Sequence, residues 1–274
     1  VYVRWFREIY KNTTTNKTYD ILNYAFNEAK TGETIQMLEN GNSTEPLQPV
    51  VASGKTINLE LNGKKVNLKN AISNKGTLYI NKTSTSGTIS CTGGATAIES
   101  TGSYLEVKNA TITSDGMGID TKGGALNSLT ITAKGNAVKN QDNTMTMESC
   151  TLKSDISAVN GASGRIIIRN STITGDYGIF NFKAYIEIHQ KSRIEGTSRS
   201  GAINYESGGT IQIGATSETL SNSAEVIVGK EFGLNVQAGT VYFYNGRIQG
   251  QTGACYGTIS AVRSTCSVVD TTSG

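Results

Sequence analysis

Hydrophobic residues return at fixed offsets in successive lines of about twenty residues between positions 95 and 250. Each line carries a small residue followed by an aliphatic one, at Ala97-Ile98, Gly118-Ile119, Ala137-Val138, Ala158-Val159, Gly178-Ile179, Ala202-Ile203 and Gly233-Leu234. Two further apolar positions, five residues apart, follow at Val107 and Ile112, Leu126 and Ile131, Met147 and Leu152, Ile168 and Ile173, and Phe243 and Ile248. Three short strands per line predict one turn of a parallel β-helix, and the chain is predicted to be an all-β solenoid of about ten turns.

The start of the chain predicts a cap for this solenoid. Residues 20–31 are predicted to form one amphipathic helix, with Asp20 as its N-cap and Gly32 as the glycine after its C-terminus. Its apolar face consists of Ile21, Leu22, Ala25, Phe26 and Ala29. An open solenoid end exposes core and unpaired strand edges, so this helix is expected to cover the first turn. We therefore expect an N-terminal strand and linker over residues 1–18, with a lone Trp5, and a capped β-helix over residues 19–270.

Alternation along the strands predicts which side chains line the outer faces of the solenoid. Outward positions beside the third apolar residue form one column of Thr111, Thr130, Thr151 and Thr172 and another of Thr113, Thr132, Lys153 and Thr174. Such a face resembles that of some ice-binding proteins, but threonine is also favoured on any solvated strand. The five-residue step becomes fourteen between Ile213 and Ile227, so residues 214–225 are predicted to be an inserted loop.

The segments DILNYAFNEAKTGETIQML, GKTINLELNGKKV and GTLYI, followed by the repeated lines, resemble a known family. They are similar to the pectin-lyase-like, right-handed parallel β-helix domains of bacterial cell-surface, adhesin-like proteins, over about residues 19–270. Glu60 stands where the family pattern usually has Asp. The resemblance implies an extracellular location, further domains of the same polypeptide, and a structural or adhesive role without catalysis that contacts a glycan or a host surface protein. The alternative that this fold implies is a polysaccharide lyase or a glycoside hydrolase.

Composition and charge remove several other classes of function. The net charge is only +3, and the Lys and Arg residues are spread along the chain, which argues against nucleic-acid binding. No apolar run approaches the roughly 18 residues of a membrane helix, so membrane insertion is not expected. Nothing in the sequence predicts a cofactor.

The four cysteines predict at most one disulfide and no metal centre. There is no CxxC motif, and a single histidine leaves little for a zinc site. Cys91 and Cys150 fall on turns too far apart to be joined. Cys255 and Cys266 lie eleven residues apart and are the disulfide candidate, the alternative being two separate half-buried thiols.

Acidic residues form one column that suggests chemistry. Asp115, Lys134, Asp155 and Asp176 each lie three residues after the third apolar position of their line. Asp155 and Asp176 would lie roughly 5 Å apart on adjacent turns, a spacing that suits the carboxylate pair of a retaining glycosidase or a bound cation. The alternative is that these residues hydrogen-bond backbone groups of their own turns.

The single histidine is a second, weaker catalytic candidate. His189 follows the inward Ile188 and is predicted to point outward near Glu187 and Arg169. Glu148 and Arg169 are predicted to form an exposed ion pair across successive turns, which contributes little to stability.

Aromatic residues gather in the later lines and suggest carbohydrate binding. Tyr242 and Tyr244 flank the inward Phe243, so both are expected to face outward. Together with Tyr205 or Phe180 they are the candidate ligand-binding residues, because exposed rings stack on sugar rings. The alternative is that these rings only cover the strand surface and the C-terminal end.

Overall fold

A computed structural model describes residues 7–41, 44–83, 85–197, 201–205, 207–215, 226–259, 261–262 and 267–270. Three sheets enclose a single aliphatic core, and in every full turn the chain passes from the first sheet to the second, the third, and back to the first. All strands pair in parallel, apart from a hairpin at the N-terminal end. The predicted all-β, parallel β-helix of about ten turns is therefore confirmed.

The strands of each sheet follow one another along the solenoid axis. Sheet 1 contains Thr18–Tyr19, Tyr10–Asn12, Thr34–Met37, Thr56–Glu60, Thr77–Ile80, Tyr104–Lys108, Gly124–Asn127, Thr144–Glu148, Arg165–Arg169, Tyr185–His189, Thr210–Ile213, Thr240–Phe243 and Ala261–Val262. Sheet 2 contains Lys65–Leu68, Gly87–Cys91, Ala110–Ser114, Thr130–Ala133, Thr151–Ser154, Thr172–Gly175, Arg193–Gly196, Val226–Gly229, Arg247–Gly250 and Ser267–Asp270. Sheet 3 contains Val50–Val51, Ile72–Asn74, Ile98–Ser100, Ile119–Thr121, Val138–Asn140, Ser157–Gly161, Tyr177–Asn181, Ile203–Tyr205, Phe232–Val236 and Gly253–Tyr256.

The register places like residues above one another in buried ladders. In sheet 2 the inward residues pair in the order Ile89, Ile112, Ile131, Leu152, Ile173, Ile194, Ile227 and Ile248. All of them are buried. The predicted inward positions are confirmed, and the hydrophobic burial that stabilises each turn is shared with the next turn.

The bend from sheet 1 to sheet 2 depends on one residue in a left-handed conformation. In five successive turns this residue is Asn81, Asn109, Ser128, Ser149 or Asn170, with φ between 47° and 55°. A left-handed conformation is costly for most residues but is tolerated by short polar ones such as Asn. One such residue between two inward side chains explains the five-residue step in the sequence.

The bend from sheet 3 back to sheet 1 is closed by buried polar side chains. The Asn74 amide donates to Tyr104 O (2.8 Å) and to Ser100 Oγ (2.9 Å). Asn140 Nδ2 donates to Asn143 O (2.9 Å) and to Ser163 O (3.0 Å). These amides satisfy backbone carbonyls that the bend removes from the sheet ladder.

The N-terminal end is covered by a hairpin and a short helix. The strands Tyr10–Asn12 and Thr18–Tyr19 pair in antiparallel fashion and close one edge of sheet 1 against Thr34–Met37. Part of the predicted N-terminal linker is therefore strand. Residues 1–6, including Trp5, lie outside the described residues.

The predicted helix exists but is shorter, spanning Leu22–Glu28. Asp20 is not its N-cap: Ile21 occupies that position without a side-chain hydrogen bond, so this prediction was wrong. Glu45 Oε2 instead accepts the Leu22 N–H at 3.0 Å. The helix also ends earlier than expected, at Ala29, so Gly32 is not the glycine that directly follows it.

Residues of the first solenoid turns hold both ends of this helix. Glu45 is buried, and its Oε1 accepts the Tyr10 hydroxyl at 2.5 Å. At the other end, Lys55 Nζ donates to Phe26 O (2.7 Å) and Asn27 O (2.9 Å). These bonds satisfy backbone groups that the two ends of the helix leave unpaired. Within the described part of the chain, no helix is long and apolar enough to cross a membrane.

Candidate functional site

The strongest concentration of polar and aromatic side chains lies on the outer face of sheet 1, in the later turns. We call it the tyrosine–acid cluster, and it comprises Arg165, Tyr185, Glu187, His189, Gln212, Tyr242 and Tyr244. The register places Arg165 beside Tyr185, and Glu187, Gln212 and Tyr242 in one row across three strands. Because inward isoleucines alternate with these residues, all of them originate on the outward side of the sheet.

Glu187 is at the centre of this cluster and has both carboxylate oxygens engaged. It is only 6% exposed. Arg165 Nε donates to Oε1 at 2.5 Å, and His189 Nε2 lies 3.3 Å from Oε2. Burial acts to raise the pKa of Glu187, but the bonds and charges of Arg165 and His189 outweigh burial and hold that pKa below its usual range. Glu187 is therefore an ionised, fully paired carboxylate.

A separate hydrogen-bonded chain beside this acid begins at Tyr185. Tyr185 Oη donates to Gln212 Oε1 at 2.7 Å, and Gln212 Nε2 donates to Gly214 O at 3.0 Å. The Arg165 guanidinium carbon lies 5.8 Å from the centre of the Tyr185 ring. Burial, followed by the Glu187 charge, raises the pKa of Tyr185 and keeps it neutral. Arg165, Tyr185, Glu187, His189 and Gln212 are thus held by their own contacts before any ligand binds.

Tyr242 and Tyr244 lie at the C-terminal side of the cluster. Their ring centroids are 6.1 Å apart and their planes differ by 10°. Both residues are half-buried, so part of each ring faces solvent. This agrees with the outward orientation expected from the sequence.

The other two aromatic candidates do not join this site. Tyr205 has no exposed surface. It occupies the inward position that Asn140 and Asn181 hold in other turns, so the prediction that its ring contacts a ligand was wrong. Phe180 is half-buried on sheet 3, a different face, where its ring lies 5.2 Å from Tyr177 and 4.9 Å from Phe182.

His189 and Arg169 also differ from expectation. His189 is adjacent to Glu187, as predicted, but it is only 7% exposed. Among the described residues Glu148 forms no ion pair with Arg169; its Oε1 instead accepts the Asn170 amide at 2.5 Å. The predicted Glu148–Arg169 pair was therefore wrong. Asn170, in the left-handed bend, places its amide against the Glu148 carboxylate in place of the Arg169 side chain.

The acidic column lies at the bend from sheet 2 to sheet 3, as the spacing predicted. Lys134 Nζ bonds to Asp115 Oδ1 at 2.8 Å, with the two side chains 68% and 41% exposed. Asp176 Oδ1 accepts the Thr197 hydroxyl at 3.1 Å. A depression of about 330 Å³ is lined by Asp115, Lys134 and Asp155, among others.

Asp115, the first acid of this column, lacks the raised pKa that a general acid requires. The bond from Lys134 holds the pKa of Asp115 below its usual range, whereas a general acid needs a raised value. No group of three or more His, Cys, Asp or Glu side chains in the described ranges is arranged to hold a metal ion. The catalytic roles of Asp155 and Asp176 stay a prediction that the geometry does not favour.

Burial disfavours the thiolate form of the described cysteines. Cys91 and Cys150 are buried free thiols, and burial raises the pKa of Cys150 to about 11. Cys266 lies outside the described residues, so the Cys255–Cys266 disulfide stays a prediction.

The threonine face of sheet 2 is longer than the sequence suggested. Thr88, Thr111, Thr130, Thr151 and Thr172 form an unbroken column across five strands. Thr88 escaped notice because its strand belongs to a less regular line. Residues 216–225 of the predicted inserted loop at 214–225 lie outside the described residues, so the loop stays a prediction.

Sequence reasoning missed Arg165, Tyr185 and Gln212 as members of the site. Gln212 lies opposite Glu187 and Tyr242, Tyr185 lies two residues before Glu187, and Arg165 lies opposite Tyr185. These relations follow from the pairing of strands and not from a sequence motif. Comparison with protein-family models, with curated proteins and with solved structures found no match to this chain.

Proposed function

We propose that this chain is a non-catalytic adhesive β-helix module that binds glycan through Tyr242 and Tyr244. The supporting observation is the Tyr242–Tyr244 pair, which has nearly parallel rings on a strand surface. Aromatic faces beside fixed polar groups are the usual means by which proteins hold sugar rings. Gln212 and Tyr185 supply neighbouring polar groups that are already held in place.

The paired state of the acids favours adhesion over catalysis. A glycosidase needs one carboxyl group with a raised pKa and a second one free to act as nucleophile or base. Glu187 is ionised and bonded at both oxygens, and Asp115 is bonded to Lys134. Because these acids are already bonded, we rank a polysaccharide lyase or hydrolase of the pectin-lyase-like type second to the adhesive module.

We further propose that the module belongs to an extracellular protein of the bacterial surface, of the pectin-lyase-like, right-handed type. The support is the resemblance of residues 19–270, together with a rigid elongated fold that suits a stalk or an adhesin. Its partner would be a glycan or a glycosylated host surface protein, and further domains of the same polypeptide would anchor it.

A binding assay on short oligosaccharides tests this proposal. Wild-type protein is titrated with neutral and uronate trisaccharides, next to the variants Tyr242→Ala, Tyr244→Ala and Tyr256→Ala. Removal of an aromatic anchor is expected to raise Kd about tenfold or more for Tyr242 and Tyr244. Tyr256, an exposed ring on sheet 3 that contacts Phe232, is the matched control and should leave Kd unchanged.

Two results would contradict the proposal. The first is an absence of binding by the wild-type protein to every trisaccharide. The second is steady release of shorter or unsaturated sugars, abolished by Glu187→Gln, which would support the enzymatic alternative.

A further inference from the structure

A second depression lies on the N-terminal half of the molecule, where sheet 3 bends into sheet 1. Its volume is about 370 Å³. The lining residues are Gly102, Ser103, Tyr104, Lys122, Gly123, Gly124, Asn143 and Thr144. None of them takes part in the tyrosine–acid cluster.

Two adjacent glycines make the floor of this depression. Gly123 and Gly124 have φ of 141° and 131°, values that L-residues rarely adopt. A β-carbon on Gly124 would lie 2.1 Å from Leu105 O, and one on Gly123 would lie 2.8 Å from Thr144 O. The backbone therefore excludes side chains at these two positions, and the depression results from the missing side chains.

One wall of the depression is an aromatic ring. Tyr104 is 36% exposed, and its ring centroid lies 5.8 Å from that of Tyr79. Lys82 Nζ is 4.4 Å from the centre of the Tyr79 ring, on the same side of the molecule. Tyr104 is thus supported from one side, and its exposed part borders the glycine floor.

The remaining walls carry polar groups with unused hydrogen-bonding capacity. The side chains of Ser103, Lys122, Asn143 and Thr144 are exposed, and within the described residues none of them has a hydrogen-bond or ion-pair partner in the protein. Lys122 is the only charged side chain among the lining residues. One aromatic wall, an amide, two hydroxyls and an ammonium form a set that suits the hydroxyls and carboxylate of an acidic pyranose.

This depression and the tyrosine–acid cluster lie on the same sheet. Six strand steps separate the strand Tyr104–Lys108 from the strand Thr240–Phe243 in sheet 1. At about 4.8 Å per step, the two sites are roughly 29 Å apart along one face. The solenoid fixes this distance, because every intervening strand is paired on both sides.

We propose that the depression beside Tyr104 is a second glycan subsite, which binds a uronate residue of the same extended polysaccharide that contacts Tyr242 and Tyr244. This inference rests on the proposed function. Two linked subsites convert the second contact into an intramolecular event, so a chain long enough to span them binds tighter than a short one. A short oligosaccharide can occupy only one subsite at a time, so its affinity is that of a single subsite.

Length dependence of binding tests the inference. Oligogalacturonates of three and of about twelve residues, and neutral xylo-oligosaccharides of the same two lengths, are titrated by calorimetry. The wild-type protein is expected to bind the long oligogalacturonate about tenfold or more tighter than the short one. Tyr104→Ala and, separately, Asn143→Ala should remove this advantage while the Tyr242-dependent affinity for the short ligand persists.

The outcomes separate this inference from the proposed function. Equal affinity for short and long oligogalacturonate in the wild-type protein, or a length advantage that survives both variants, would overturn the second subsite. A length advantage seen only with the neutral series would overturn the acidic class of ligand. Loss of short-ligand binding to wild-type protein would instead count against the Tyr242–Tyr244 site itself.

Discussion

The same bend, from sheet 3 to sheet 1, is closed in two different ways in the two halves of the molecule. In the earlier turns a short polar side chain such as Asn140 lies inside the bend and bonds to two carbonyls. In one later turn the ring of Tyr205 fills the same inward position, and Val236 follows it in the next turn. The backbone beside the bend lacks side chains in both cases, but for different reasons. A β-carbon on Gly164 would lie 1.4 Å from the backbone oxygen of Asp142, whereas one on Gly239 would meet the Tyr205 ring.

The bend from sheet 1 to sheet 2 differs between the two halves as well. One left-handed residue is sufficient from Asn81 to Asn170, but the following turn uses two, Gln190 and Lys191. The next turn leaves the sheet at Gly214, where the inserted residues begin. The tyrosine–acid cluster lies on these less regular turns. The uniform turns therefore set the distance between strands along the solenoid. The less regular turns carry the polar and aromatic side chains of the tyrosine–acid cluster.

The largest effect is expected from Gly239→Ala in the later bend. A β-carbon there would lie 1.9 Å from Cε1 of Tyr205, and the residue has φ of 98°. Overfilling and backbone strain together should lower the free energy of unfolding by about 3 kcal/mol, measured by urea denaturation.

Gly93→Ala is the matched control for this substitution. Gly93 has φ of 81°, and no atom lies within 4 Å of a β-carbon built on it. It should lose only about 1 kcal/mol. Equal losses at both glycines would show that Tyr205 does not set the requirement, whereas partial rescue of Gly239→Ala by Tyr205→Ala would confirm it.

A smaller loss is expected from Asn140→Ala in the earlier bend. This change leaves the carbonyls of Asn143 and Ser163 without their buried donor, and should cost about 2 kcal/mol in urea denaturation. Asn160→Ala, on the outward side of the next strand of sheet 3, should cost less than about 0.5 kcal/mol. A similar cost at both positions would mean that the amide does not brace the bend.

The N-terminal cap should make stability depend on pH. Burial raises the pKa of Glu45 above its ordinary 4.5, although the bonds from Tyr10 and the Leu22 N–H oppose burial, and the charge of Asp20 adds to it. A carboxyl group with a raised folded-state pKa favours folding when protonated. Its contribution is complete below the ordinary value and is lost as pH rises through the folded-state pKa.

Glu45→Gln removes this ionisation while it keeps an oxygen acceptor. Thermal unfolding of the wild-type protein should therefore shift to lower temperature from pH 4 to pH 7 relative to the variant. Parallel pH profiles of the two proteins would contradict a role for Glu45 ionisation in the cap.

The smallest effect is expected in the acidic column. The Asp115–Lys134 pair is exposed, so solvent and salt screen it. Lys134→Ala should leave Tm unchanged within error, and so should Asp176→Asn on the next part of the same column. A marked loss of stability in either variant would assign the column a structural role that its exposure does not suggest.

The inward or outward direction of a periodic side chain was predictable from the sequence. It follows from the alternation within its own strand, and the same alternation is repeated in the next turn. Ile112 and Ile131 are inward for the same local reason, and the outward Tyr242 and Tyr244 follow from Phe243 by alternation. The parallel solenoid and its faces could therefore be predicted without a structure.

Contacts between distant parts of the chain could not be predicted in this way. Glu45 caps a helix that begins 23 residues earlier, and no local pattern connects the two. Tyr205 is a different case. It was assigned to the ligand-binding face although alternation from the inward Ile203 also places it inward, where the structure buries it.

The left-handed bend between sheets 1 and 2 has a consequence for how this protein is produced. That bend favours Asn, and the strand that follows it often begins near Thr, so Asn109-Ala110-Thr111 and Asn170-Ser171-Thr172 spell acceptor sequences for N-glycosylation. A eukaryotic secretory host would attach sugar to an element whose role is purely conformational. At Asn170 the sugar would compete with the bond to Glu148, so recombinant material from such a host would differ in mass and along one edge of the threonine face.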